Sequence, residues 1–386
     1  MSQGQGQGGG SIIAQLIGLL LNLLKSFQSA PAQPSEPSTP GEPSQPATPE
    51  TPVDLGKLES LSPRVLLIVY NPVVDSASGK KLLSAVSWFN NPDELIAGYV
   101  QDLAAVSNGL VNYKVVETVE DTTFAAKDNG YVFQGADFVS AYTTRQPLDG
   151  NMVDYGAILA KYNIVQRVAN NELDEVWLMG YPNAGFYEST MGGRGAFWCN
   201  GPVLPNTEKC PRRFVVMGFN FERGIGEMEE AFGHRTESIM EQVYHGKTES
   251  ANLWHRFIQY EQKNSGEAND GWMHYAPNSV QDYDWGNLTP VQSCADDWYQ
   301  FPNLPNPPIY RTMTANDWGN GDIRKHHTWW FKHLPKVEGV TDSVANNWWK
   351  YAVDPNNVSV GRRTGMIADP EPKLYLHPWG SMPHHQ

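Results

Sequence analysis

Cysteine is scarce, with three residues in a chain of 386. Three cysteines exclude a disulfide scaffold, and their spacing excludes a zinc finger. Cys199 and Cys210 flank a loop of Gly, Pro and Asn residues, so we expect these two thiols to come within bridging distance. Cys294 would then remain as a buried, unreactive thiol.

Basic residues are also few, since 28 Lys and Arg stand against 42 Asp and Glu, for a net charge of −14. Nucleic-acid binding needs clustered cations that contact phosphates, so this composition excludes a general nucleic-acid binder. It also disfavours binding to anionic membranes.

Three common catalytic and nucleotide motifs are missing: the Gly-x-Ser-x-Gly elbow, the Walker phosphate loop and a complete Gly-x-Gly-x-x-Gly after a strand. The nearest approach, Gly224-Ile-Gly226, precedes a helix whose first turns carry Glu227, Glu229 and Glu230. Those carboxylates would repel a phosphate at the helix N-terminus. Ordinary serine hydrolases and nucleotide-binding proteins are therefore disfavoured.

The N-terminal residues 1–29 form an apolar segment whose core, 11–27, is short for a membrane span and has no basic residue before it. Three interpretations remain open: an atypical export signal or membrane anchor, a helix that docks on a membrane or a protein, and a dispensable tail. Residues 30–53 are almost wholly Pro, Ser, Thr, Glu, Gln and Ala, which predicts a disordered linker.

Residues 54–386 predict one α/β domain with a mainly parallel sheet flanked by helices. Predicted strands are 65–70, 113–119, 176–179 and 214–219, and predicted helices are 92–106, 155–168 and 226–244. Beyond Tyr260 the chain becomes loop-rich and aromatic, and we expect it to pack on the same core. Ligands of such sheets bind beyond the carboxyl ends of the strands.

The predicted helix 226–244 carries five polar residues at spacings of three and four, and these are Glu227, Glu230, His234, Glu237 and Glu241. Imidazole together with carboxylate is the ligand chemistry that zinc and other divalent ions use. We therefore predict Glu230, His234 and Glu237 as metal ligands, with zinc among the candidate ions. The alternative is a solvated acidic face.

A metal site needs a further ligand from outside this helix. The elaboration after Tyr260 could fold over the acidic face and supply one, and His274 is the first choice, followed by His326 or His327. Each of these three could instead be a structural or surface histidine.

Aromatic residues are abundant, with 13 Trp and 17 Tyr, and several lie beside acids or amides. The clusters are 282–285, 296–299, 329–330 and 346–349. Such rings stack on sugars, and Glu188, which follows the third predicted strand, could serve as a carboxylate of a glycosidase. Packing within loops is the alternative interpretation.

Three strings resemble parts of an uncharacterised family of bacterial exported proteins: Val-Leu-Leu-Ile-Val-Tyr-Asn-Pro at 65–72, Phe-Trp-Cys-Asn at 197–200 and Phe-Gly-His-Arg-Thr-Glu at 232–237. The similarity spans about 65–355. It implies a bacterial origin and a single domain, and it carries no catalytic residue across.

These patterns support three hypotheses. The first is an extracytoplasmic metal-dependent hydrolase of small-molecule, peptide or glycan substrates, in which Glu188 is the base and Arg223 stabilises developing negative charge. The second is a secreted or surface protein that binds or cleaves carbohydrate. The third is a non-enzymatic structural or cargo module docked through residues 11–27.

Overall fold

A computed structural model describes residues 56–359. The apolar segment predicted over 1–29 and the linker predicted over 30–53 lie outside the described residues. Among the described helices, none has the length and apolar character needed to cross a membrane.

The strands are β1 (Arg64–Tyr70), β2 (Val73–Asp75), β3 (Lys80–Lys81), β4 (Lys114–Asp121), β5 (Glu175–Gly180), β6 (Ser189–Gly192), β7 (Phe214–Asn220), β8 (Val291–Ser293), β9 (Arg311–Met313), β10 (Lys336–Thr341) and β11 (Val344–Asn347). The helices are α1 (Leu82–Ala85), α2 (Pro92–Val106), α3 (Gly135–Thr143), α4 (Tyr155–Lys161), α5 (Ile164–Ala169), α6 (Ile225–Tyr244), α7 (Leu253–Phe257), α8 (Ile323–His333) and α9 (Trp349–Val353).

The main sheet has the strand order β4-β1-β5-β7-β6. Its first four strands run parallel, and β6 pairs antiparallel with β7. Strands β5 and β7 are buried along their whole length, as expected for continuous apolar runs in a parallel sheet. The prediction of a mainly parallel sheet with helices is therefore confirmed, and the short edge strand β6 was not predicted.

Helix α2 has the bounds that the sequence predicted. Asn91 caps it by accepting a hydrogen bond from the amide of Asp93, and Pro92 occupies the first turn. Tyr99 then packs edge-on against Trp177 of β5 and Phe219 of β7, with ring centroids 5.3 Å apart in both cases. Helix α2 thus covers one face of the sheet.

The helix predicted over 155–168 is divided into α4 and α5. Asn163 adopts a left-handed conformation (φ 51°) between them, which the asparagine side chain tolerates better than most. The apolar spacing continues across the break, so periodicity alone did not reveal it.

The predicted disulfide between Cys199 and Cys210 is absent. Both residues are buried as free thiols. The Cys199 sulfur lies 3.8 Å from Ser189 Oγ of β6, and the Cys210 amide bonds to the carbonyl of Thr207. Each cysteine is thus held in its own turn, although the loop between them is short. Cys294 is buried as predicted, and burial raises its pKa to about 11.

Helix α6 follows β7 and is fixed to the sheet by Arg235, whose guanidinium pairs with Glu175 at the start of β5 (2.6 Å). Both side chains are buried. Successive residues of a helix point about 100° apart, so His234 is turned away from the contact that Arg235 makes with the sheet. This orientation directs His234 towards the segment that follows α7.

Candidate metal site

The polar face of α6 is covered. Glu230 and Glu237 are each 7% exposed, and His234 is half-buried. Burial of a carboxylate is costly unless the group is paired or coordinates a metal. The alternative of a solvated acidic face therefore does not describe Glu230 or Glu237.

The segment around Met273 covers this face, and Gly233 makes the close approach feasible. A Cβ atom at position 233 would overlap the Met273 sulfur. The Met273 amide also donates a hydrogen bond to Glu237 Oε1 (2.8 Å). These two contacts hold the next residue, His274, against the polar face of α6.

Three donor atoms converge there: one carboxylate oxygen of Glu230 and one ring nitrogen each of His234 and His274. His274 Nε2 lies 2.7 Å from Glu230 Oε1 and 2.9 Å from His234 Nε2, and His234 Nε2 lies 3.7 Å from Glu230 Oε1. A tetrahedral ion with bonds of about 2.0–2.1 Å separates its ligand atoms by about 3.3 Å, which falls within this range. The set has the composition and the spacing to hold a metal ion.

Glu237, predicted as a ligand, contacts the opposite side of the His234 ring. Its Oε2 lies 2.7 Å from His234 Nδ1. A carboxylate in this position accepts the Nδ1 proton, so Nε2 is the nitrogen that would bind an ion in place of its own proton. The structure therefore brings Glu237 to the site as a residue that orients His234.

The charges of Glu230 and His234 stabilise each other. Burial alone would raise the pKa of Glu230, but hydrogen bonds with His234 and His274 hold it below its usual value. Burial alone would lower the pKa of His234, but the carboxylates of Glu237 and Glu230 raise it well above its usual value. The two shifts describe a compact arrangement of opposite charges.

Glu188 lies immediately before β6, and its carboxylate accepts a hydrogen bond from Asn200 Nδ2 (2.6 Å). Burial raises its pKa, and the nearby Glu230 charge adds to this effect, while His234 and His274 oppose it. Glu188 therefore lies close enough to Glu230, His234 and His274 to feel their charges, and its role as a base stays a prediction.

Arg223 lies before α6, and its guanidinium is 4.0 Å from Glu227 Oε1. Glu227 Oε2 in turn accepts a hydrogen bond from the amide of Gly224 at the start of the helix. Arg223 and Glu227 therefore lie at the N-terminal end of α6. A role for Arg223 towards a substrate stays a prediction.

Tyr283 and Asp282 were not predicted as parts of the site. The Tyr283 ring packs on His274 with centroids 4.3 Å apart, and Asp282 Oδ1 lies 3.9 Å from His274 Nδ1. Tyr283 has a positive φ of 62°, a strained conformation for a bulky residue. The acid-aromatic string at 282–285 was visible in the sequence, but nothing in it indicated a contact with His274.

His326 and His327, the second-choice ligands, are fully buried on α8. Both pack around Trp285, with ring centroids 5.1 and 5.2 Å from it, respectively. Neither belongs to the converging set of three among the described residues.

No family model, curated protein or solved structure gives a significant match to this chain. The similarity of its strings to exported bacterial proteins stays a prediction.

Proposed function

We propose that the protein is a metal-dependent hydrolase whose divalent ion is held by Glu230, His234 and His274. The observation that carries the proposal is the convergence of their three donor atoms, all within 4.8 Å of one another. Two histidines and one glutamate form the ligand set of several catalytic zinc sites, which keep a further position open for water or substrate. Zinc is accordingly the first candidate ion.

The neighbouring residues support hydrolysis in particular. A divalent ion at this site would supply Lewis acidity and lower the pKa of water. Glu237 would fix the orientation and tautomer of His234, and Glu188 would move a proton between water and the leaving group. Arg223 would stabilise negative charge on the substrate.

The partial exposure of the site leaves the substrate class open. His234 and His274 keep 16% and 12% of their side chains exposed, so a substrate group can approach the donors from solvent. Small molecules, peptides and glycans all remain candidate substrates. We also propose that the protein acts outside the cytoplasm, which rests on the linker composition and on the string similarity alone.

The carbohydrate hypothesis has weaker support, because most of the aromatic rings on which it depends lie in the core, although Tyr299 is 59% exposed. Trp285, Trp298, Trp330, Trp348 and Trp349 are all at most 5% exposed. Rings this buried cannot stack on a sugar. Docking through residues 11–27 concerns a part of the chain outside the described residues.

The test begins with the full chain, purified without chelators or a metal-binding tag. We expect about one tightly bound divalent ion per chain by mass spectrometry. Ester, amide and glycoside substrates are then tested with the metal-loaded and the metal-stripped protein. Hydrolysis that disappears on stripping and returns with the ion supports the proposal, whereas a stable protein that binds no zinc, manganese or cobalt overturns it.

Glu188→Gln separates catalysis from binding. We expect this variant to retain the ion and lose about 10²–10⁴-fold in kcat, the usual contribution of a positioned acid or base. Glu241→Gln is the matched control, because Glu241 lies on α6 like Glu230 but accepts a hydrogen bond from the Trp254 indole. Equal activity of both variants would remove Glu188 from the mechanism.

A further inference from the structure

His327 lies where α8 packs against the first turn of α6, and Gly226 makes this packing feasible. A Cβ atom at position 226 would lie 2.6 Å from Ile323 Cγ2 and 2.9 Å from the Arg324 amide nitrogen. His327 follows Ile323 by four residues, so it lies on the same face of α8. Its Nδ1 atom reaches the carbonyl oxygen of Gly226 at 2.9 Å.

This contact fixes the tautomer of His327. A carbonyl oxygen only accepts hydrogen bonds, so Nδ1 must carry the proton, and the Nε2 atom of the neutral ring presents a lone pair. No atom of residues 56–359 forms a hydrogen bond with that Nε2. A ring whose N–H is bound by a backbone carbonyl and whose other nitrogen is a bare lone pair is the usual form of a metal-ligating histidine.

His327 contacts α6 about one turn before Glu230. Gly226 and Glu230 are four residues apart, so they occupy one face of α6 and are separated by about one turn, 5.4 Å. A chain of ring contacts also joins His327 to His274. Trp285 contacts both His327 and Tyr283, and Tyr283 contacts His274.

We propose that His327 is a further ligand of the ion, through Nε2, so that the complete set is three imidazoles and one carboxylate. The inference rests on the ion that the proposed function requires, but not on hydrolysis. His327 Nε2 is outside the set of three atoms that already converge, so ion binding would draw it towards Glu230. With four protein ligands, water or substrate would enter as a fifth ligand, a coordination number that catalytic zinc reaches and that other first-row ions also accept with imidazole ligands.

The test counts imidazoles on a bound ion. Cu²⁺ is added to the metal-stripped full chain at one equivalent, and pulsed electron paramagnetic resonance reports the number of coordinated rings. We expect three rings in the wild type and two in His327→Gln, with at least a tenfold weaker affinity for Cu²⁺ in the variant. His326→Gln is the matched control, since His326 is the adjacent residue, is equally buried and also packs on Trp285.

A count of two rings in the wild type would overturn the assignment of His327, and this result does not depend on how the variant folds. A loss of one ring in His326→Gln but not in His327→Gln would overturn it as well. Three rings without any hydrolysis would support the inference and remove the proposed function. Failure of the wild type to bind Cu²⁺ would remove both.

Discussion

Histidine lies beside carboxylates in the group formed by Glu230, His234 and His274 and again around His333, and these two groups differ in the neighbours of their ring nitrogens. In the first, Glu230, His234 and His274, the Nε2 atoms of the two histidines face each other at 2.9 Å. In the second, His333 Nδ1 lies 2.9 Å from Asp270 Oδ1, and His333 Nε2 lies 3.4 Å from Asp296 Oδ1. We refer to them as the ion cluster and the His333 cluster.

The two clusters also differ in how far their histidines are enclosed by other residues. His333 is enclosed between the rings of Tyr299 and Trp329, at 4.4 and 4.7 Å, and its side chain has no exposed surface. The two ring nitrogens of His333 lie near different carboxylates, Asp270 and Asp296. In the ion cluster, one ring nitrogen of each histidine and one carboxylate oxygen converge, all within 4.8 Å of one another. Residue composition is therefore a poor guide to metal binding, and the convergence of donor atoms is a better one.

Removal of His234 should give the largest effect. His234→Ala deletes one of three converging donors, so we expect the affinity for a divalent ion to fall by more than the 10–100-fold loss typical of an outer-shell change. The fold should persist, because Arg235 and not His234 joins α6 to the sheet. Calorimetric titration with Zn²⁺, together with circular dichroism, measures both quantities.

Removal of His333 should lower the stability of the fold rather than the affinity for an ion. His333→Ala leaves Asp270 buried without its partner, and removing one member of a buried pair costs about 3–5 kcal/mol in the free energy of unfolding. Urea denaturation of the metal-stripped protein measures this loss, and ion affinity should stay at the wild-type value. Loss of ion binding in His333→Ala with unchanged stability would reverse the roles that we assign to the two clusters.

Glu237→Gln should have an intermediate effect on the ion cluster. A glutamine can still accept the Met273 hydrogen bond through its oxygen while its amide donates to His234 Nδ1, which would move the ring proton to Nε2 and block the lone pair. We expect about a 10–100-fold loss of ion affinity with little change in stability. The chemical shifts of ¹⁵N-labelled histidine would report the tautomer directly, and an unchanged Nε2 lone pair would contradict this mechanism.

The sequence was a good guide to the sheet and to α6, because burial on both faces and amphipathic spacing leave strong periodic signals. It predicted Glu230 and His234 from their types and their helix face, and His274 from the segment that could cover that face, and the donor atoms of these three residues lie together in the structure. It could not show that Glu237 binds the far nitrogen of His234, which depends on the path of the chain at Met273 and on the missing side chain at Gly233. The His333 cluster had no sequence signal, because Asp270, Asp296 and His333 are far apart along the chain.

The smallest predicted effect is a dependence of stability on pH that belongs to the His333 cluster. Burial raises the pKa of Asp270 to about 6, from 3.8 in the unfolded chain. Burial tends to lower the pKa of His333, but Asp270 and Asp296 raise it above 6.5. Both groups therefore hold protons more strongly in the folded state. Their contribution to stability is fully present at low pH and is lost as the pH rises, first between about 4 and 6 and then above 6.5.

The double variant Asp270→Asn, His333→Gln should remove this slope, because neither replacement titrates. The difference in free energy of unfolding between wild type and variant should change by up to about 1.4 kcal/mol per pH unit within those windows, in favour of the wild type at the acidic end. Urea denaturation of the metal-stripped proteins at pH 4.5, 6 and 7.5 measures the difference without interference from ion binding. A difference that grows in favour of the wild type as the pH rises would mean that Asp270 is ionised at acidic pH, and that the His333 cluster is a permanently charged pair.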